Sequence, residues 1–204
     1  VHDLQSDGDK LYNFSRETEN QGTSDYGVIF ASTSKITFAG AGISFLSTGD
    51  KTLSDFEKYL GTQMIGFDKV NQLRHVKFLS NLEETKRLMA KHREILKPKF
   101  DLVLDTLEKK LGKSRVAKWT YPKGGYFISL DTLPGLAKRT VQLALELGVR
   151  LTPAGATFPY GEDPNDSNIR IAPSYPKLEE LKKAADVLGT CILLAKAESD
   201  NGES

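Results

Sequence analysis

Residues 28–42 read VIFASTSKITFAGAG, and this stretch carries the main signal for the fold. The apolar run from Val28 to Ala31 is followed by three hydroxyl residues, which predicts a strand buried on both faces of a mostly parallel sheet. The glycine-rich end, residues 40–42, is too flexible to continue a regular element. Lys35 is therefore expected just past a strand end, where open α/β sheets form the crevice that binds ligands.

The residue types around Lys35 suit covalent chemistry beside a phosphate. Lysine attacks carbonyl carbons only as the neutral amine, so a catalytic lysine lies where burial or a neighbouring positive charge lowers its pKa. Ser32, Thr33 and Ser34 add three hydroxyl groups that can donate hydrogen bonds to phosphate oxygens. The spacing alone slightly favours a surface lysine that follows a strand, with serine and threonine present for turn chemistry.

The sequence on either side of this stretch predicts further elements. Val1 to Asp25 is polar and predicts a long surface loop. After the lysine, Ile43 to Ser47 predicts a second short strand. A helix follows, for which Thr52 or Ser54 can supply the cap and Gly61 a stop.

A long helix and then alternating strands and helices occupy the rest of the chain. Asn81 opens the long helix, which Pro98 is expected to kink or divide. The other predicted elements are helices over 67–78, 136–147 and 177–196, and strands over 119–121, 126–130, 149–152 and 168–172. Two strand regions separated by a long helix predict two domains, residues 1–80 and 81–204.

Arg170 is the second candidate functional residue. In an alternating strand, Ile169 and Ile171 face one side and Arg170 faces the other. A guanidinium group can bind a carboxylate through two parallel hydrogen bonds, which a lysine cannot do. Taken by itself, the pattern favours a structural salt bridge over a binding role.

Composition excludes several classes of partner. The 204 residues are 39% hydrophobic and 27% charged with a net charge of +1, so no basic surface for nucleic acid or anionic membrane is indicated. No apolar stretch approaches the roughly 20 residues that span a bilayer. The single cysteine, Cys191, rules out an intrachain disulfide and predicts a buried thiol in a reducing, cytosolic setting. A small-molecule partner is expected.

Four motifs in order resemble those of class I and II aminotransferases. STSK at 32–35 is similar to their Ser-x-Ser-Lys signature. The longer string over 31–42 resembles one bacterial branch, the aspartate aminotransferases related to MocR-type regulators. PKGGYF at 122–127, TPAGATF at 152–158 and NIR at 168–170 are similar to motifs of the smaller domain. The resemblance covers nearly the whole chain.

The resemblance implies an α/β chain of pyridoxal 5'-phosphate (PLP) fold type I. Residues 1–80 would be the C-terminal part of the large PLP-binding α/β domain. Residues 81–204 would form the long interdomain helix and a smaller C-terminal α+β domain.

The resemblance also implies roles for individual residues and partners. Lys35 would hold PLP as a Schiff base, and Arg170 would bind the substrate α-carboxylate, with Asn168 from the same strand in the substrate-binding group. The residues expected to bind the cofactor are Lys35, Ser32, Ser34 and Thr37. The substrates would be an amino acid, with aspartate a candidate, and a 2-oxo acid. A homodimer in the cytoplasm is implied.

The chain departs from the family pattern around the cofactor. From Ile36 to Asp50 there is no basic residue, whereas most of the superfamily has an arginine there that pairs with the phosphate. The Asp that pairs with the pyridine nitrogen and the Tyr near the cofactor phenolate fall at or before Val1, and Asp3 and Asp9 are candidates only in a strained alignment. We therefore expect the 204 residues alone to bind PLP weakly and to catalyse no transamination.

Two other functions remain compatible with the sequence. The chain also resembles the ligand-sensing domain of a MocR-type transcription regulator, which would use the cofactor as a switch. The third alternative is a non-catalytic fragment, because the chain begins at Val1 rather than Met and its upstream cofactor ligands are not apparent.

Overall fold

The computed structural model describes residues 12–202. They divide into two compact units inside the long helix Leu82–Leu111: a first unit of residues 12–89 and a second unit of residues 90–202. Asp3 and Asp9 lie outside the described residues.

The first unit begins with a helix in a segment that the sequence predicts to be a loop. Helix α1 (Phe14–Asn20) starts where Asn13 Oδ1 accepts a hydrogen bond from Arg16 N at 3.1 Å. Asparagine is a favoured residue at this position because it satisfies an N–H group that has no partner within the helix. The prediction of a continuous loop up to Asp25 is therefore wrong.

Two short strands follow, and they pair in the opposite sense to the prediction. Strands β1 (Ile29–Ser32) and β2 (Ser44–Ser47) are antiparallel, with Ile29 opposite Ser47 and Ser32 opposite Ser44. Within the described chain β1 is not buried on both faces, since the Phe30 side chain is 71% exposed. The loop between the strands is too short for the crossover that parallel strands require, so the chain turns back on itself.

The helices of the first unit are α2 (Asp50–Gln63) and α3 (Lys69–Leu79). Neither Thr52 nor Ser54 caps α2, because the helix starts earlier, at Asp50. The Asp25 carboxylate supplies the cap from a distance, accepting hydrogen bonds from Lys51 N at 3.1 Å and Thr52 N at 3.4 Å. Gly61 does not end the helix, which runs on to Gln63.

Helix α4 (Leu82–Leu111) begins in the first unit and continues into the second. Asn81 opens it as predicted, its Oδ1 accepting a hydrogen bond from Glu84 N at 2.9 Å. The helix runs without a break through Pro98, so of the two predicted outcomes the division is wrong, and the kink stays a prediction. A proline removes one N–H group from the helix, and the burial of Leu96 and Phe100 on either side favours the continuous form.

The second unit is an antiparallel sheet with helices. Its strands are β3 (Ala117–Trp119), β4 (Ile128–Thr132) and β5 (Asn168–Ile171), in the order β3-β4-β5. Its helices after α4 are α5 (Ala137–Glu146) and α6 (Leu178–Asp200). These three strands and the two later helices confirm the predicted elements to within a few residues.

The predicted strand over 149–152 is wrong, because this segment is irregular. It follows the end of α5, where Val149 N donates to Ala144 O at 2.8 Å after Gly148 adopts a φ of +82°. Leu151 still packs against the core as a half-buried side chain. Its apolar pattern therefore reflects packing without sheet hydrogen bonds.

The core of the second unit contains residues of α4, β4, β5 and α6. Each large aliphatic or aromatic side chain buried here contributes about 1.5–3 kcal/mol relative to exposure. The most deeply buried members are Phe100, Val103, Leu107, Leu111, Ile128, Leu130, Ile169, Leu188 and Ile192.

Cys191 lies in a smaller cluster of the second unit, between α5 and α6. It packs with Leu136, Leu143, Ala144 and Ala195 and is fully buried. Burial raises the pKa of its thiol, because the thiolate would lose its hydration. The prediction of a plain buried thiol is confirmed.

Candidate functional site

The structure places Lys35 in a tight turn immediately after β1, as the sequence predicts. Ile36 N and Thr37 N both donate to Thr33 O at 2.9 Å, which closes the chain around the lysine. The Lys35 residue is exposed. A long amine side chain is therefore held at a strand end by a backbone turn rather than by a regular element.

Two serine hydroxyls lie beside this turn. Ser32 Oγ and Ser34 Oγ are 3.0 Å apart, and Ser34 N donates to Ser32 Oγ at 3.3 Å. Both residues are exposed. Exposed hydroxyls next to an amine are suited to binding a phosphate group, because each can turn its hydrogen toward an anionic oxygen.

Gly42 packs closely against the second of these serines. A Cβ at Gly42 would lie 2.8 Å from Ser34 Oγ and 3.2 Å from the Ser34 backbone nitrogen. Any larger residue would therefore displace Ser34. The glycine-rich end of residues 28–42 is thus needed for this close approach as well as for the change in chain direction.

Thr37, predicted to bind the cofactor, is engaged with the protein. Its Oγ1 lies 3.2 Å from Thr33 O, 3.1 Å from Thr33 Oγ1 and 2.8 Å from His75 Nε2. Among the three predicted hydroxyl groups, Ser32 and Ser34 are the more accessible. Sequence reasoning missed His75, which is distant along the chain and has no motif around it.

Arg170 extends from β5 in the second unit with the predicted alternation. Ile169 and Ile171 are buried, and Arg170 is half-buried opposite Ser129 of β4. The Arg170 guanidinium carbon lies 4.7 Å from the centre of the Phe127 ring, within the range of a cation–π contact. Among the described residues, its buried Nε has no hydrogen-bond partner. The side chain is thus oriented and retains a donor for an anion.

Asn168, predicted in the substrate-binding group, links three parts of the second unit. Its Nδ2 donates to Ser129 Oγ at 2.9 Å and to Asp131 Oδ1 at 2.7 Å, both on β4. Its Oδ1 accepts from Thr157 Oγ1 at 2.7 Å, in the TPAGATF segment. Both amide hydrogens have protein partners, so Asn168 fixes the start of the strand that carries Arg170.

Asp163 is a second residue that the sequence did not single out. Its buried carboxylate accepts hydrogen bonds from the backbone N–H groups of Asn168 and Ser167, each at 2.8 Å, and of Asn165 at 3.0 Å. The bond from Asn168, followed by that from Ser167, holds the pKa of the carboxyl group below its ordinary value. The ionised side chain therefore stabilises the entry into β5.

This carboxylate predicts an acid-sensitive second unit. Because the folded-state pKa of Asp163 is lowered, its contribution is present above the ordinary value of 3.8 and is lost as the pH falls through the folded pKa. We expect Asp163→Asn to lower the Tm at neutral pH and to show less further loss than the wild type as the pH falls below about 4. Asp105→Asn, at an exposed carboxylate on α4, is the control. Equal acid dependence of wild type and Asp163→Asn would contradict this prediction.

The candidate residues are distributed over both units. Lys35, Ser32, Ser34 and Thr37 belong to the first unit, whereas Asn168 and Arg170 belong to the second. Over residues 12–202, no group of three or more His, Cys, Asp or Glu side chains is placed to hold a metal ion. In the same range no helix has both the length and the apolar character needed to cross a membrane.

Comparison with known proteins identifies the family to which the chain is similar. The model of the aspartate amino-transferase family matches residues 1–204. An aspartate aminotransferase of Corynebacterium glutamicum is 48% identical over 169 residues, which are 83% of this chain and 39% of that protein. A solved structure of an aspartate transaminase from C. glutamicum has a TM-score of 0.91 at 43% identity, with 98% of this chain and 47% of the other covered.

A more distant structure shares the fold alone. LysN, an α-aminoadipate aminotransferase from Thermus thermophilus solved with N-(5'-phosphopyridoxyl)-L-leucine, has a TM-score of 0.75 at 20% identity, with 93% of this chain and 48% of the other covered. This chain spans less than half the length of each of these relatives. The fold, the ordered motifs and the match over the whole chain lead to one conclusion: the chain belongs to the aspartate amino-transferase family and has PLP fold type I.

Proposed function

We propose that the protein is a PLP-dependent aminotransferase that exchanges the amino group of an amino acid with the oxo group of a 2-oxo acid. The observation that carries this proposal is the turn after β1, where Lys35 follows a pair of exposed serine hydroxyls. The exchange balances in atoms and electrons between the two substrates, so no external oxidant is needed. The relatives reported above carry aminotransferase names, which favours an enzyme over a ligand-sensing domain.

The residues around Lys35 fit the phosphate end of PLP. Ser32 and Ser34 offer hydroxyl donors close to each other, and Gly42 leaves the space that Ser34 occupies. No basic residue follows between Ile36 and Asp50, so these hydroxyls carry more of the phosphate binding than in relatives with an arginine there. Thr37 contributes indirectly, by holding the turn through Thr33.

Lys35 has two tasks in this proposal. Its Nζ would hold the cofactor covalently by condensing with the cofactor's carbonyl carbon, with release of water. Bound PLP supplies the electron sink for the charge left when the bond between the substrate α-carbon and its hydrogen is broken. Lys35 Nζ, freed when the substrate amine takes its place, would accept that proton as general base and deliver it as general acid to the former carbonyl carbon of the cofactor.

Arg170 binds the substrate α-carboxylate and so orients the α-carbon for proton transfer. Its contact with Phe127 limits the rotation of the guanidinium group, and its buried Nε retains a hydrogen for an anion. Asn168 supports Arg170 by joining β5 to β4 and to the TPAGATF segment. A carboxylate satisfies the buried donor better than water does, because the hydrogen bond is charge-assisted.

The resemblance to the family also leads to proposals about the domain organisation, the amino donor and the assembly. We infer that residues 1–80 are part of the large PLP-binding domain and residues 81–204 comprise the interdomain helix and the smaller domain. Aspartate is the first amino donor to test, given the aspartate aminotransferase relative. A cytoplasmic homodimer is the proposed assembly.

The experiment is to incubate the intact protein with PLP, reduce with borohydride and map the modified peptides by mass spectrometry. Reduction turns the lysine–cofactor linkage into a stable bond, so the modified residue can be read directly. We expect the pyridoxyl mass on Lys35, and amino-group exchange between aspartate and 2-oxoglutarate in a parallel assay. A pyridoxyl group on other lysines with Lys35 unmodified would overturn the proposal.

A further inference from the structure

We infer that His75 is a positioning residue for the Lys35 turn: it fixes the backbone on both sides of the lysine through Thr33 and Thr37. The inference rests on the proposed function for the part that concerns cofactor attachment. It adds a residue that no motif around Lys35 identifies.

The geometry joins one buried side chain to both flanks of the turn. His75 lies on α3 and is 4% exposed. Its Nε2 is 2.8 Å from Thr37 Oγ1 and 3.2 Å from Thr33 Oγ1. The ring of Phe38 packs against the imidazole with its centre 5.5 Å away, in an edge-to-face arrangement. All four residues belong to the first unit.

The partners of the ring determine which nitrogen carries the hydrogen. His75 Nδ1 lies 2.9 Å from Asn71 O, and a carbonyl oxygen only accepts, so Nδ1 is the donor there. In the neutral ring Nε2 is then an acceptor, and the shortest contact assigns the donated hydrogen to the Thr37 hydroxyl. The imidazole thus acts as a fixed acceptor, oriented by the helix backbone behind it.

Thr33 passes this constraint to the backbone of the turn. Its carbonyl accepts from Ile36 N and Thr37 N, and its N–H donates to Ile43 O at 2.9 Å. Its Oγ1 accepts from Ile43 N at 2.9 Å. Thr33 therefore ties the end of β1 to the start of the return strand, and His75 ties Thr33 and Thr37 to α3.

Helix α3 also holds the other end of the loop. Asn71 Nδ2 donates to Ala41 O at 2.9 Å, next to Gly42. Asn71 and His75 are one helical turn apart and so project from the same side of α3. The helix thus holds the loop at both ends, and of the two side chains only His75 contacts residues flanking Lys35.

Replacing His75 by leucine should loosen the turn, because it removes the hydrogen-bond acceptor while an apolar side chain still fills the buried space. In His75→Leu the half-buried hydroxyls of Thr33 and Thr37 lose their contact with Nε2, and the loss of a hydrogen bond there favours rearrangement of the turn. His75→Gln keeps a side-chain acceptor of similar reach. A role confined to packing would be served equally well by leucine, whereas a positioning role requires the acceptor.

The test measures Lys35 directly in the intact protein, in two ways. One is the rate of Lys35 modification by PLP followed by borohydride. The other is a footprint of Lys35 with an acetylating reagent in cofactor-free protein, which reads the lysine's environment without any catalysis. Circular dichroism melting reports whether each variant is folded. His92→Leu, at a half-buried histidine on α4, is the matched control.

For His75→Leu we expect Lys35 modification by PLP to slow by about three- to tenfold, as for the loss of one hydrogen bond, with an altered acetylation footprint. His75→Gln should restore both readouts to within about twofold of wild type, and His92→Leu should change neither. A folded His75→Leu variant with wild-type behaviour in both readouts would overturn the inference.

Two further outcomes separate the positioning role of His75 from a folding defect and from the proposed function. If His75→Leu does not fold, Thr37→Val removes the same 2.8 Å bond from the other partner and should slow Lys35 modification similarly; wild-type behaviour of that variant would overturn the inference. If the wild type is not modified by PLP at Lys35 but the footprint still depends on the His75 acceptor, the proposed function fails and the positioning role stands.

Discussion

Lys35→Ala is expected to lower the kcat of transamination by about 10²- to 10⁴-fold, the usual contribution of a general acid–base group. The same substitution removes the covalent attachment of the cofactor, so borohydride should leave no stable adduct at that peptide. The structure gives the reason: the lysine lies in the turn after β1, beside the Ser32 and Ser34 hydroxyls. Steady-state kinetics of the intact protein and peptide mapping measure the two effects separately.

A matched lysine substitution separates this effect from general charge loss. Lys69→Ala removes an exposed lysine from the start of α3 in the same unit and should leave kcat unchanged. The serine hydroxyls remain in Lys35→Ala, so PLP should still bind reversibly and be removable by dialysis. Retention of wild-type turnover by the Lys35 variant would rule out its catalytic role.

Arg170→Lys should raise the KM for the amino acid by about ten- to a hundredfold, because a point charge replaces a two-pronged donor. The affinity for PLP should remain close to that of the wild type, since Arg170 is assigned to the substrate carboxylate. The variant would also weaken the stacking on Phe127, which now orients the guanidinium group. Substrate kinetics and a cofactor titration on the same preparation provide the comparison.

Arg150→Lys is the control for this substitution. Arg150 is exposed in the irregular segment after α5 and has no assigned role. Its replacement should leave KM and kcat within about twofold of wild type, as surface substitutions usually do. If Arg170→Lys behaved in the same way as this control, Arg170 would be a structural residue.

The sequence predicted well where local signals determine the structure. Asn81 marks the start of α4 because its side chain caps the helix, and Ile169 and Ile171 mark a strand whose other side carries Arg170. The position of Lys35 after a strand followed from the apolar run and the glycines alone. In each case the interacting atoms lie within a few residues of each other.

Prediction failed where the partner is remote in sequence. An apolar run such as Ile29–Ser32 predicts a strand but does not specify its neighbour or its direction, and the short loop that follows selected the antiparallel pair. The cap of α2 comes from Asp25, far from the helix it serves. Residues 149–152 show that an apolar pattern can satisfy packing without a strand partner.

The site shows the same division between local and remote information. Motifs predict Lys35, Ser32, Ser34 and Arg170 as site residues, because their spacing is characteristic. The bonds from Thr37 to His75 and from Asn168 to Asp131 join distant segments, so their residue types predict no specific partner. A hydroxyl group within a motif, such as that of Thr37, can therefore stabilise the turn through bonds to the protein instead of binding the cofactor.

The burial of Cys191 between α5 and α6 provides an intrinsic probe of folding. The chain has one cysteine, and its thiol is fully buried with a raised pKa. Both properties slow its reaction with water-soluble disulfide reagents, because the reagent cannot reach the sulfur and little of the reactive thiolate forms. Reaction then requires that the second unit open locally or globally. The reaction rate of this single sulfur atom thus reports the free energy of that opening, without an engineered cysteine and independently of the Lys35 turn.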